Sequence, residues 1–152
     1  MTGTGDFDFL FGDWHVHNRR LRRRLVGSAD WDEFAASAAC RPLFGGAANV
    51  DEIAFPTLGV RGLTLRLFDP ERRQWRLHWT TDASGVLFPP VVGAFTDGVG
   101  RFFGDDTEAG VPVRVRFVWD RITAGSARWR QAFSVDGGRR WETNWVMELT
   151  RR

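Results

Sequence analysis

The chain of 152 residues contains no Lys and no Tyr, one Cys, two Met and three His. Each scarcity excludes something. With Cys40 alone there is neither an internal disulfide nor a thiolate zinc site, and a lone thiol fits a reducing compartment. All 21 basic residues are Arg, so every basic side chain is permanently charged and shaped for carboxylate or phosphate. Nineteen acids leave a net charge of only +2, too weak a field to recruit nucleic acid. No apolar run approaches the roughly 20 residues of a membrane-spanning helix. The acidic, aromatic N-terminus is unlike a signal peptide. The expectation is a cytoplasmic protein with no nucleic-acid partner, no membrane insertion and no cofactor. No Gly-x-Ser-x-Gly elbow, phosphate loop or dinucleotide fingerprint occurs. Asp13, Asp51, Glu52, Glu142 and Glu148 are scattered, and nothing in the sequence pairs two of them as acid and base.

What the chain has is aromatic and alternating. Eight Trp and 13 Phe, within 43% hydrophobic residues, describe a globular core, and residues 1–152 fit one domain. From Trp14 the residues alternate: Trp14, Val16, Asn18 and Arg20 share one side of a strand, and His15, His17 and Arg19 the other. This strand is expected to run to Leu25. Asp32 to Cys40 follows, broken by the run that contains Pro42. Asn49 to Phe55 is next. Leu63, Leu65 and Leu67 alternate with Thr64, Arg66 and Phe68. After a turn at residues 69–73, Trp75, Leu77, Trp79 and Thr81 alternate with Arg76, His78 and Thr80. Val91 to Thr96 and Val99 to Gly104 form a hairpin across Asp97-Gly98, and Asp105 to Gly110 reads as an exposed acidic loop. Val113, Val115, Phe117 and Trp119 alternate, as do Trp129, Gln131, Phe133 and Val135. Trp145, Met147 and Leu149 share the face of a last strand. About ten short strands without an amphipathic helix predict an all-β fold. A closed antiparallel up-and-down barrel suits them best because closure removes the edges, with a β-sandwich as the alternative. Phe7 to Leu10 is expected to form one helical turn capping the barrel.

Three local patterns could carry chemistry. His15-Val16-His17 puts two imidazoles on one face, with His78 as a third candidate ligand. The phase that buries Trp14, Trp75 and Trp79 expels all three, so no metal is expected. The basic run Arg19-Arg20-Leu21-Arg22-Arg23-Arg24 is split by a strand over two faces and reads as solvated Arg stems. Ser134-Val135-Asp136-Gly137-Gly138-Arg139-Arg140-Trp141 resembles the Asp-box of sialidases and other β proteins. There the motif is a hairpin turn, and a single copy fits a turn joining the last two strands.

The opening Phe7-x-Phe9-Leu10-x-Gly12-x-Trp14 and the closing Trp145-Val146-Met147-Glu148-Leu149 resemble a bacterial family of lipocalin-like (calycin-type) β-barrel domains of unknown function. The resemblance covers nearly the whole chain. It implies a barrel that Gly12 lets the chain enter tightly and that Trp14 plugs at one end. Through lipocalins and fatty-acid-binding proteins it implies a cavity for a small hydrophobic ligand. It transfers no catalytic residue, and the chain lacks the secretion signal and disulfides of classical lipocalins.

The candidate ligand site follows from strand phase. Trp14, Asn18 and Arg20 share an inward phase, and Trp79, Phe117, Trp119, Trp129 and Gln131 supply stacking surface and one amide. A flat or branched apolar molecule, oriented by Asn18 and Gln131, would present a carboxylate or enolate oxygen to Arg20. An inward Arg needs a partner, so Arg20 is expected at the rim, on Glu142 or Glu148, or on a ligand anion. Three function classes stay open: a binding module, a cavity enzyme such as a cyclase, isomerase or decarboxylase, and a barrel filled by its own side chains. A homodimer also stays open.

Overall fold

The computed structural model describes residues 3–152. Ten antiparallel strands form one closed barrel: β1 (Gly12–Leu21), β2 (Trp31–Leu43), β3 (Ala48–Phe55), β4 (Val60–Asp69), β5 (Gln74–Thr81), β6 (Val91–Thr96), β7 (Val99–Glu108), β8 (Val111–Asp120), β9 (Ser126–Ser134) and β10 (Glu142–Arg151). Each strand pairs with the next, and β10 closes on β1 from Trp14↔Arg151 to Arg20↔Trp145. The helical content among the described residues is two 3-10 turns, Asp8–Leu10 and Phe44–Gly46. Among the described residues no helix is long and apolar enough to cross a membrane.

Alternation sets which side chains enter the barrel. On β1, Trp14, Val16 and Asn18 are buried, while His15, His17 and Arg19 are exposed. Alternation alone left the inward face of β4 undecided; the register decides it. Across the β4–β5 turn, Phe68 pairs with Trp75, Arg66 with Leu77 and Thr64 with Trp79. Residues directly opposite share a face, so burying Trp75 and Leu77 carries Gly62, Thr64, Arg66 and Phe68 inward. Leu63, Leu65 and Leu67 then lie on the outer surface, with Leu63 37% exposed.

Three strand ends differ from those expected by more than a residue or two. β1 ends at Leu21 rather than Leu25, because Arg22 to Arg24 belong to the turn. There Arg22 holds Asp32 at 2.8 Å and Arg24 holds Glu108. β2 continues through Pro42 to Leu43. Pro42 stands opposite Asn49, and β1 has already ended opposite Cys40, so the missing N–H faces no neighbouring strand on that side. Asp105 to Glu108 is the end of β7 rather than a loop. Those acids have cross-strand partners, with Asp105 opposite Arg114 and its carboxylate 3.2 Å from that guanidinium.

The N-terminal turn fills one end of the barrel. Phe7 is fully buried, with ring centroids 4.9 Å from Trp75, 5.0 Å from Phe95, 5.9 Å from Phe102 and 6.4 Å from Trp119. Trp14 anchors this turn by donating its Nε1–H to the Leu10 carbonyl at 2.8 Å. Gly12 enters β1 at φ +112°, a conformation that L side chains rarely adopt. The Asp-box segment turns β9 into β10. Asp136 Oδ1 accepts the Arg139 and Arg140 backbone N–H groups at 3.0 and 2.9 Å, and Trp141 Nε1 donates to the Gly138 carbonyl.

Candidate functional site

Below the plugged end the barrel is hollow. A cavity of about 80 Å³ lies between β1, β2, β3, β4, β5, β8, β9 and β10. That is several times what one water needs. Its walls are aromatic. Trp129 stands 5.0 Å from Phe117 and 5.6 Å from Trp145, both edge-on. Trp79 lies across β4, where Gly62 makes room: a Cβ at position 62 would come 2.0 Å from the indole. Thr64, Trp79, Phe117, Gln131 and Met147 face inward yet keep partial exposure, so solvent reaches this part of the interior.

The ladder is weakest beside Trp79. β5 and β6 pair only from Trp75↔Gly93 to Leu77↔Val91. Beyond Leu77, β5 faces the irregular segment 82–90, which is held there by the Phe88 N–H on the Trp79 carbonyl at 2.9 Å.

Of the residues singled out from sequence, Trp14, Trp79, Phe117, Trp119, Trp129 and Gln131 line this cavity. Asn18 and Arg20 do not. Asn18 is fully buried and spent on structure: its amide donates to the Phe34 carbonyl at 3.2 Å and accepts from Trp145 Nε1 at 2.9 Å. Arg20 lies 4.4 Å over the Trp145 ring. Burial, then repulsion from Arg24, lowers its pKa, against the pull of Glu108 and Asp32. The acids considered for it are engaged elsewhere or exposed: Glu142 accepts the Leu25 N–H at 2.7 Å, and Glu148 is exposed. Gln131 Nε2 donates to Asn144 Oδ1 at 2.8 Å. A register shift between Thr143 and Trp145 turns both Asn144 and Trp145 into buried positions.

The interior also holds an ion pair that strand phase on β1 could not reveal. Arg66, 4% exposed, holds Asp51 Oδ2 at 2.5 Å and Asn49 Oδ1 at 2.8 Å. Its guanidinium lies 5.2 Å from the Phe7 ring and 5.9 Å from that of Trp119. Among the described residues, Arg66 and Asp51 are the only charged ones on the cavity wall. Cys40 sits beside them, its Sγ 3.7 Å from Asn49 Oδ1. Burial pushes this thiol up to about 11.

His15 and His17 point outward, and His17 meets Glu33 at 2.9 Å. His78 lies on the outer face opposite Leu65, its pKa lowered by partial burial and by Arg76. Among the described residues no three His, Cys, Asp or Glu side chains are grouped to hold a metal ion.

No family model and no curated protein sequence matches the chain. Among solved structures it is similar to the S-type phycobiliprotein lyase CPES from Guillardia theta. The identity is 10% and the TM-score 0.60, over 100% of this chain and 93% of that one. The fold is lipocalin-like. The resemblance drawn from the terminal motifs therefore holds at the level of the barrel.

Proposed function

We propose that this barrel binds a small, flat or branched apolar molecule in its cavity. The observation that carries this reading is a partly open void walled by Trp79, Phe117, Trp129 and Trp145, with only a few polar groups, among them Thr64 and Gln131. Apolar walls with a few convergent polar groups are the usual make-up of a small-molecule site. Binding is favoured over catalysis because the one carboxylate that the described residues place on the wall, Asp51, is engaged by Arg66. A general acid or base needs a group free to exchange its proton with substrate. Asn18 and Arg20 stand outside the site we propose. The similar solved structure is a phycobiliprotein lyase, which brings bilin-like molecules into the screen. A cavity of about 80 Å³ suits a single ring system better, and a larger ligand requires the wall beside Trp79 to open.

The test is a Trp-fluorescence screen of aromatic and branched apolar compounds, run on wild type and on Ala38→Phe. Ala38 lines the void, and a phenyl ring there fills it. Saturable binding by wild type that falls about tenfold or more in Ala38→Phe is the expected result, a loss of about 1.4 kcal/mol or more. Equal binding by both proteins would move the ligand out of the barrel.

A further inference from the structure

The polar corner of the cavity carries information about the charge of the ligand; this step rests on the binding reading above. Arg66 spends its two terminal nitrogens on Asn49 and Asp51. Its Nε–H is buried and has no hydrogen-bond partner among the described residues. A buried donor left unmade costs free energy that an incoming acceptor recovers. Thr64 stands on the same face of β4, opposite Asp51 across the β3–β4 ladder, and adds a hydroxyl to the wall. On the far side Gln131 has its amide nitrogen committed to Asn144, which leaves its carbonyl oxygen as an acceptor.

The charge count in this corner is already closed. Asp51 neutralises Arg66 in direct contact, and no second cation among the described residues lines the void. A carboxylate entering here would bury an extra negative charge beside Asp51, with no cation to match it. An uncharged carbonyl or amide oxygen satisfies the same donor without that cost. We infer that the cavity selects uncharged ligands carrying a hydrogen-bond acceptor, held by Arg66 and Thr64, and discriminates against carboxylates because Asp51 occupies the cation. The sequence-based expectation of an acidic ligand on Arg20 is thereby replaced by a neutral one on Arg66.

Benzamide and benzoate are near-identical in shape and differ in charge, and toluene lacks the acceptor. Their binding is compared by ligand-observed NMR titration at pH 7. Wild type is expected to bind benzamide at least tenfold more tightly than benzoate, and more tightly than toluene. Asp51→Asn keeps the side-chain volume and frees the Arg66 charge, so its preference should move toward benzoate by tenfold or more. Equal or tighter binding of benzoate by wild type overturns the neutral-ligand inference and leaves the cavity reading standing. Binding of toluene as tightly as benzamide removes Arg66 and Thr64 from recognition. No binding of any of the three, against a positive fluorescence screen, also overturns it, because the acceptor would then earn nothing. No binding in either assay overturns the cavity reading itself. The wild-type comparison stands alone if Asp51→Asn does not fold. The double variant Asp51→Asn, Arg66→Gln, neutral throughout, should then keep benzamide ahead of benzoate but lose part of its lead over toluene; an undiminished lead over toluene removes Arg66 from recognition.

Discussion

At the plugged end of the barrel, aromatic rings fill the interior; a few residues along the same strands, similar rings line a void. Phe7 sits fully buried among Trp75, Phe95, Phe102 and Trp119. Trp79, Phe117, Trp129 and Trp145 instead face Thr64, Gln131 and Ala38. Aromatic content is similar in both regions, so it does not decide whether a barrel is solid. What differs is the opposing side. One end receives a folded-back segment of chain with Phe7 at its centre, while along the middle no such ring is laid in and the wall includes Thr64, Gln131 and Ala38. A barrel of this strand number is filled where something is put inside it, and hollow elsewhere.

The largest expected effect tests the filled end. Phe7→Ala removes a fully buried ring from four aromatic partners and should cost about 3–5 kcal/mol in urea unfolding. It should also extend the void toward the plug, so that larger apolar compounds bind better than to wild type. A cost below about 1 kcal/mol would mean the turn collapses onto the gap and the end is not rigidly packed.

A smaller effect is expected on the cavity wall. Gly62→Val drives a side chain into the space that the Trp79 indole occupies. The ring is the free end of a side chain and can swing, so the cost should be about 1–3 kcal/mol. The Trp emission should shift and apolar binding weaken. Unchanged binding would remove Trp79 from the site and shorten the hollow region.

The smallest effect tests how closed the polar corner is. Cys40, with its pKa raised to about 11 chiefly by burial and secondarily by Asp51, against the pull of Arg66, carries little thiolate at pH 8. Alkylation by iodoacetamide at that pH should be about a hundredfold slower than in urea-unfolded chain from thiolate fraction alone. The rate should keep rising up to about pH 11. A native rate close to the unfolded one would show that solvent reaches the Arg66 corner freely.

Much of this architecture was legible in the sequence, because a two-residue period reports directly on which side chain enters a barrel. Strand phase puts Trp14, Trp79 and Gln131 inward, and all three line the cavity. The misplaced pair, Asn18 and Arg20, shows the limit of that signal. Phase tells which face a residue is on, but not how far along the barrel axis it lies or what it meets there. Asn18 is inward and fully used by Phe34 and Trp145. Arg66 was missed for a related reason. On β4 the Leu positions make the conspicuous face, and they point outward. The clue was the short turn between Phe68 and Trp75: running the register back from two inward-facing Trp residues, Trp75 and Trp79, brings Arg66 inside. Asp51 follows only after β3 is paired with β4, which needs two registers in succession. The Asp105 to Glu108 strand was hidden because a run of acids reads as loop until Asp105 is set opposite Arg114 on β8.

The way the ends of the chain meet has a bearing on time rather than on structure. Nine of the ten strand pairings join neighbours in sequence and can form as hairpins, whereas the tenth joins β1 to β10. Its latch is Arg151, which donates to the carbonyls of Phe9 and Phe11, the latter 140 positions away, and lies 4.2 Å over Trp14. Loop-closure entropy makes such a contact the most expensive to form and places it late in folding. Contacts made after the rate-limiting step do little to speed folding and much to slow unfolding. Replacing Arg151 is therefore expected to speed unfolding more than it slows folding, which stopped-flow kinetics in urea would check.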